Sequence, residues 1–430
     1  MFFRLLILSS ALMVSLHSSM LDVDKPWDSS LIFNFEEAST SLDKSNTDDA
    51  LLDVINDPDK LISDDFTVPK DLKDRVLFWA RIYSLYPSTS FVVHDKDDLS
   101  IVYNVVDQKT SKMSVNEAKR MAKDLIDRAM RSKSLKDFSA KNKQEKQFYL
   151  KFKEKRGKIK TSELVSNIRT QTGQMDFIQS GLKSSSRYLP IIEDLFKEQG
   201  LPWELTRIPF VESSFNIRAD SKVGARGIWQ IMGVTGKKFI GIDPNYDERY
   251  SPFKASIVAA KLLEENYRIL GTWPLAITAY NHGPGGLKNA TKKLKTKDIS
   301  KIVKEYKGRN FGFASKNFYS EFLAALYVTV YSDRIFGKID KEPLMNFFYV
   351  KLEERIYIKD LLSISMLGKE ELLKYNPELG KNIINGKLPL EKNAFIKLPP
   401  RASYRLEEYF ERKMDAKKLY EELDNKYKDE

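Results

Sequence analysis

No cysteine occurs anywhere in the 430 residues. That absence excludes disulfides, thiolate metal sites, a cysteine nucleophile and a lipid carried on an N-terminal cysteine. Histidine is almost as scarce, with only His17, His94 and His282. Three imidazoles, one of them near the N-terminus, are a poor basis for a zinc site. No metal and no cofactor is therefore expected, and any chemistry must come from carboxylates, hydroxyls and amides. Long apolar runs are also missing outside the N-terminus. With 42% hydrophobic and 30% charged residues, the chain can bury a substantial core and has room for two or three domains.

The net charge is +11. A positive balance suits anionic partners such as nucleic acid, a membrane surface or an anionic wall polymer. Lysine dominates and recurs along the chain, so a solvated lysine-rich surface is the plain reading. The N-terminus argues against nucleic acid as a target. Arg4 precedes an apolar run over residues 5–16, and Ser18 and Ser19 follow. This is the order of a secretory signal peptide, expected over 1–19. The run is too short for an ordinary spanning helix. His17 interrupts the small-x-small pattern that cleavage uses, so an uncleaved anchor stays open beside removal.

The chain is expected to be mainly α. Residues 20–65, rich in Asp, Ser, Asn and Thr, read as a disordered leader. Residues 66–184 read as a helical region with one hairpin. Its first helix stops at Pro87, and two β-branched runs flank Lys96, Asp97 and Asp98. From Ser114 onward Met121, Leu125, Ile126 and Met130 recur at helical spacing and are expected in a core. Residues 185–340 form a helical block whose boundaries are marked by Pro202, by Ser251-Pro252, by Gly271 and by Trp273-Pro274. Residues 345–400 change character. They read as a strand at 347–351, one or two short helices over 358–375, and a strand at 395–398, a small βααβ module. Residues 401–430 read as a charged helix with surface pairs.

Three segments of the helical block carry chemistry. In 208–216, IPFVESSFN, Glu212 ends an apolar stretch near a helix C-terminus. Burial and the negative helix end both favour a protonated carboxyl there, which a general acid needs. In 221–232, SKVGARGIWQIM, Gly224 and Gly227 allow close backbone approach. Trp229 offers a flat ring and Gln230 an amide, a pairing that suits sugars; a structural turn followed by core residues is the plain alternative. In 279–286, AYNHGPGG, Tyr280 and Asn281 end a helix where a phenol and an amide could orient a substrate, or where Asn and Gly simply cap. The glycines are not a phosphate loop, because no strand precedes them and Lys288 lacks its Ser/Thr partner.

Together the segments resemble the lytic transglycosylases that share the lysozyme-like fold. That family is marked by an E-S pair (Glu212-Ser213), a G-x-x-G-x-x-Q-aliphatic-M segment (residues 224–232) and an A-Y-N-x-G segment (residues 279–283). The lead-in Pro202-x-Glu204-Leu205, the Asp247-Glu248-Arg249 turn and Ala259-Ala260 fit the same pattern. Residues 316–328 resemble the closing helix, with Tyr319 at its substrate-facing tyrosine. Residues 169–182 and the helices before them resemble the upstream region of the D-type membrane-bound members. Residues 347–399 resemble a LysM carbohydrate-binding module, although Glu354-Arg355-Ile356-Tyr357 stands where Gly-Asp-Thr is usual.

The resemblance implies a periplasmic, exported enzyme acting on peptidoglycan glycan strands. Glu212 would be the single acid/base. It would cleave the bond between N-acetylmuramic acid and N-acetylglucosamine without water, leaving a 1,6-anhydromuramyl end. The same resemblance gives substrate-binding roles to Ser213, Gln230, Met232, Tyr280, Asn281 and Tyr319. Peripheral or signal-anchor attachment to a membrane, and recruitment by envelope-spanning machinery, stay open. Two other readings compete. A lysozyme-type hydrolase would need a second carboxylate beside Glu212, and none is obvious in the three segments. A non-catalytic wall-binding scaffold would have no need of the intact Glu-Ser, Gln and Tyr-Asn set.

Overall fold

The computed structural model describes residues 44–155 and 161–426. The expected signal peptide and most of the expected leader lie outside the described residues. The rest divides into two compact units, one of residues 44–242 and 248–344, the other of 243–247 and 345–426.

The larger unit begins where order was not expected. Residues 44–65, expected in the disordered leader, include helix α1 (Lys44–Val54), whose Leu51 and Val54 are buried. Asp57 accepts the Tyr331 hydroxyl, and the Ser63 amide donates to Glu204 Oε1 at 3.0 Å. Few apolar residues stand in this acidic stretch, but distant parts of the chain supply partners for them. Helix α2 (Lys73–Ser84) then leads to strands β1 (Ser90–Asp95) and β2 (Val102–Asp107), the expected hairpin.

A lobe with its own core follows. Helix α3 (Val115–Arg131) opens on a reciprocal capping box between Ser114 and Glu117. Short helices α4 (Leu135–Phe138) and α6 (Thr161–Ser166) flank α5 (Lys143–Lys155). Strand β3 (Ile168–Thr172), not expected, pairs with the free side of β1 to give the order β2-β1-β3. Phe91, Val93, Tyr103, Ile126, Phe148 and Phe152 are among the side chains that fill this core. Leu125 and Ile126 are buried as expected and Met130 packs against the core, but Met121 is 49% exposed. The buried stripe runs through Ala118, Ala122, Leu125 and Ala129, and at about 100° per residue position 121 falls outside it.

The remaining helices are α7 (Met175–Ser185), α8 (Leu189–Glu198), α9 (Ile208–Ser213), α10 (Gly233–Gly236), α11 (Pro252–Leu270), α12 (Trp273–His282), α13 (Pro284–Leu294), α14 (Ile299–Glu305), α15 (Phe313–Val330) and α16 (Ser332–Phe336). Between α9 and α10 lies the two-residue hairpin β4 (Ala225–Arg226) and β5 (Ile231–Met232). Helix α15 is apolar nearly all round and accordingly buried on most sides, packing on α2, α9 and α12. The expected boundaries hold at Pro252, Gly271 and Trp273. Pro202 instead opens a 3-10 turn, Trp203–Arg207, from which α9 continues.

The smaller unit is antiparallel, with β6 (Phe348–Lys351) paired to β7 (Phe395–Leu398). Between them lie α17 (Ile358–Ser365), α18 (Lys369–Tyr375) and a third short helix, α19 (Lys381–Ile384), beyond the two foreseen. The charged helix α20 (Pro400–Lys426) is not a separate tail. Its Ala402, Leu406 and Phe410, spaced by four, enter the same core as Leu352, Leu361 and Leu398. Glu354 pairs with Lys413 at 2.6 Å and Arg355 with Glu391 at 2.7 Å.

Candidate active site

Glu212 sits one residue before the end of α9. Ile208, Pro209 and Phe210 bury the first turn. The helix ends after six residues because Ser214 and Phe215 both adopt left-handed backbone, at φ 50° and 60°. Such a pair of non-glycine residues is strained and must be held from outside. Phe215 is fully buried against Phe210, and its amide returns to the Pro209 carbonyl at 3.0 Å. Gly181 of α7 passes so close to this corner that a Cβ there would stand 2.3 Å from the Ser214 carbonyl oxygen.

The glycine-rich segment is held as tightly. Gly227 has φ 73°, and a Cβ on it would lie 1.9 Å from the Arg249 carbonyl oxygen. Arg249 Nη1 donates to the Gly224 carbonyl at 2.7 Å and to Ile231 at 3.2 Å. Gln230 is a third left-handed residue, at φ 46°. Its Nε2 donates to the carbonyls of Gly227 at 2.9 Å and Ala219 at 3.2 Å. These bonds fix the amide in place and turn its hydrogens to the backbone.

Two hydroxyls clasp the turn between β4 and β5. Ser213 Oγ donates to the Ile228 carbonyl at 2.9 Å, and the Tyr280 hydroxyl donates to the next carbonyl, Trp229, at 2.8 Å. The Glu212 helix and the end of α12 are thereby tied to adjacent peptides. Ser213 thus serves the backbone here. Trp229 is no sugar platform: it is fully buried, stacked on Phe196 at 5.7 Å, with its Nε1 donating to Ser256 Oγ at 2.8 Å. A large flat ring satisfies a core as well as a sugar, and here the core has it. Met232 is exposed on β5. Asn281 is exposed, and Oδ1 accepts from Ser315 Oγ at 3.1 Å. The same hydroxyl is 3.1 Å from His282 Nδ1.

Glu212 keeps part of its surface open, yet burial pushes its carboxyl up to about 8. Burial is the cause. The Tyr280 phenol is raised by burial first and by the Glu212 charge second. Two residues that the motifs do not contain join this neighbourhood. Glu321, in the middle of α15, is pushed up to about 8 by burial and then by Glu212. Tyr83, from α2, is raised by burial, then by Glu321 and Glu212. The signal for Glu321 is a lone acid in a mostly apolar helix. Nothing in the sequence marks Tyr83.

Tyr319 is not in this group. It is buried against Phe322, and the groups that raise its phenol besides burial are Tyr327 and Asp65. Residues 319 and 321 are about 200° apart on a helix, so the face that presents Glu321 to Glu212 turns Tyr319 away. Among the described residues, no cluster of three or more His, Cys, Asp or Glu could hold a metal ion.

Residues 190–303 match the family model of the transglycosylase SLT domain. The chain is 34% identical over 115 residues to membrane-bound lytic murein transglycosylase D of Escherichia coli (strain K12), covering 26% of this chain and 25% of that protein. The same protein of Escherichia coli O6:H1 matches with the same identity and coverage. The chain thus spans about a quarter of the length of these relatives. The solved structure of the 70 kDa soluble lytic transglycosylase SLT70 from Escherichia coli is 21% identical, with a TM-score of 0.28, over 35% of this chain and 26% of that one. Tyr83 and Glu321 lie outside the matched stretch, whereas Glu212, Gln230 and Tyr280 lie within it. The chain carries a transglycosylase SLT domain over residues 190–303.

Proposed function

We propose that this protein is a peptidoglycan lytic transglycosylase with Glu212 as its acid and base. The observation that carries the reading is a carboxyl held at about 8 by burial, partly open to solvent, beside the Tyr280 phenol. One pKa unit below that value the acid form outnumbers the carboxylate by roughly ten to one, so at neutral pH Glu212 has a proton to give. It protonates the glycosidic oxygen between N-acetylmuramic acid and N-acetylglucosamine as the C1–O bond breaks. The muramyl N-acetyl oxygen supports the developing charge at C1. The Glu212 carboxylate then takes the proton of the muramyl C6 hydroxyl as that oxygen bonds to C1. Glu212 ends protonated, no water is consumed, and the product carries a 1,6-anhydro end. Acid–base catalysis of this kind contributes about 10²–10⁴-fold. Exposed Met232 and Asn281 are suited to touch glycan, while Gln230 and Ser213 act through the backbone they hold.

Glu321 gives a reason to weigh a second reading, hydrolysis by two carboxylates. A glycosidase of that type needs one of the pair ionised while the other is an acid. Glu321 is itself pushed up to about 8, with the Glu212 charge raising it further. It is therefore neutral in the same pH range as Glu212 and poorly suited to activate water. Its neutral carboxyl and the Tyr83 phenol are suited instead to supporting Glu212 once that residue has given up its proton.

The relatives' name places them in the membrane-bound class, and the N-terminal apolar run fits export; we infer action at the cell envelope. Mass analysis of products from purified peptidoglycan tests the reaction. Wild type is expected to release ends lighter by one water than hydrolytic ends, and Glu212→Gln to release none while retaining its fold. Release of reducing ends would overturn the transglycosylase reading in favour of hydrolysis. Full activity in Glu212→Gln would remove Glu212 from the chemistry.

A further inference from the structure

The positive charge of this chain is not even. Residues 109–160 contain 18 Lys and Arg against 6 Asp and Glu, a surplus of 12 in a chain whose total is +11. Residues 109–155 of this stretch belong to the lobe of α3 to α6 and the β2-β1-β3 sheet, which has its own core. Over residues 109–154, eleven of the cations are exposed against four of the acids. On α5 the outward stripe is Lys143, Lys146, Leu150 and Lys153, spaced by three and four, opposite the buried Phe148 and Phe152. Leu150 is 45% exposed, and Met121 and Val115 of α3 are exposed as well.

We propose that this lobe is a docking surface for an anionic lipid bilayer, its lysines meeting headgroup phosphates while Leu150 and Met121 enter the interface. Three features favour a bilayer. The cations are spread over α3, α5 and the loops between them rather than gathered in a pocket, which suits a diffuse sheet of charge. Apolar side chains stand exposed among them, and only a partner with an apolar interior rewards burying these. A hydrated wall polymer offers no such interior. Single-stranded nucleic acid is recognised through aromatic stacking platforms, whereas Tyr103, Phe138, Phe148, Tyr149 and Phe152 of the lobe are buried. The lobe contributes nothing to the Glu212 neighbourhood, so the proposal stands or falls independently of the reaction.

Sedimentation of the full chain with vesicles tests it. Vesicles of phosphatidylcholine alone are compared with vesicles doped with phosphatidylglycerol, so any insertion of the N-terminal apolar run is common to both. Binding is expected to prefer the doped vesicles and to weaken as salt rises. The triple variant Lys143→Glu/Lys146→Glu/Lys153→Glu is expected to lose about 100-fold or more of that partitioning. The pair Met121→Ser/Leu150→Ser should lose about tenfold with an unchanged salt dependence. Melting curves and turnover of soluble glycan fragments, both unchanged, would show that the variants are folded. Equal binding of wild type to both vesicle types would overturn the proposal without recourse to any variant. So would binding to lipid-free sacculi that is lost in the triple variant while doped vesicles are ignored, because the partner would then be the wall polymer.

Discussion

Glu321 lies within the electrostatic reach of Glu212, so that the charge on one carboxyl raises the pKa of the other. Both are held at about 8, from a usual 4.5, by burial above all. A matching pair of raised acids has consequences for rate and for stability that can be measured separately.

The rate should follow the acid form of Glu212. Activity is expected to be flat through neutral pH and to fall as pH rises through about 8, losing about tenfold for each further unit. A pH–rate profile on soluble glycan fragments checks this. A limb near the ordinary carboxylate value, with activity already lost at pH 6, would mean that Glu212 is solvated in the working enzyme.

Stability runs in the same direction. A folded-state pKa raised above the unfolded value contributes stability that is fully present below about 4.5 and is lost as pH rises through about 8. Glutamine cannot ionise, so Glu212→Gln and Glu321→Gln should each unfold at higher denaturant than wild type at pH 9, by about 2 kcal/mol or more. At pH 4 the three proteins should differ little. Denaturant titrations at the two pH values give the comparison, and a Gln variant less stable than wild type at pH 9 contradicts the burial argument.

Glu321→Gln also separates the two reaction types. If Glu321 works as a neutral partner, the amide replaces it with less than about tenfold loss and the products stay one water short. If it works as an ionised base or nucleophile, the same change removes activity by about 10²–10⁴-fold. Initial rates and product masses from one digestion decide between them.

The three motifs are legible in sequence because their order resembles that of the lytic transglycosylases, and the hairpin turn brings the elements of Glu212, Gln230 and Tyr280 together. The roles were less legible. Ser213, Gln230 and Trp229 carry groups that suit a sugar, but each finds a protein partner first: backbone carbonyls for two, the Phe196–Ser256 pocket for the third. Helix α15 is apolar nearly all round, so no periodicity marks the face that meets Glu212; the resemblance points to Tyr319, while Glu321 carries no motif. Order in 44–65 depends on Glu204 and Tyr331, far along the chain. Strand β3 has no local alternation strong enough to announce it; the free side of β1 recruits it.

Tyr280→Phe should test the clasp. It removes the bond to the Trp229 carbonyl and leaves that oxygen without its partner, at a cost of about 1–3 kcal/mol. It also withdraws a hydroxyl from beside Glu212. Activity should therefore fall by more than melting explains. Comparing turnover at a temperature where both proteins are fully folded isolates the second effect, and equal turnover there would reduce Tyr280 to a structural tie.

The smaller unit offers a test of a different kind. Lys397 and Glu378 form an ion pair with both side chains 2% exposed, and Asn376 bonds both backbone groups of Lys397, its Nδ2 donating to the carbonyl at 2.7 Å and its Oδ1 accepting from the amide at 2.8 Å. Glu378 Oε2 has no hydrogen-bond partner. A buried pair that is incompletely satisfied gains little over an apolar replacement, yet removing one member strands the other charge. Lys397→Met alone should therefore destabilise this unit by about 3–5 kcal/mol. Adding Glu378→Leu should recover most of that loss. Because the Glu212 neighbourhood is built wholly within the larger unit, both variants should keep wild-type turnover on soluble glycan fragments while the melting of the smaller unit moves. Recovery that fails in the double variant would show that the pair is held for more than charge balance, with Asn376 and the β6–β7 register depending on it.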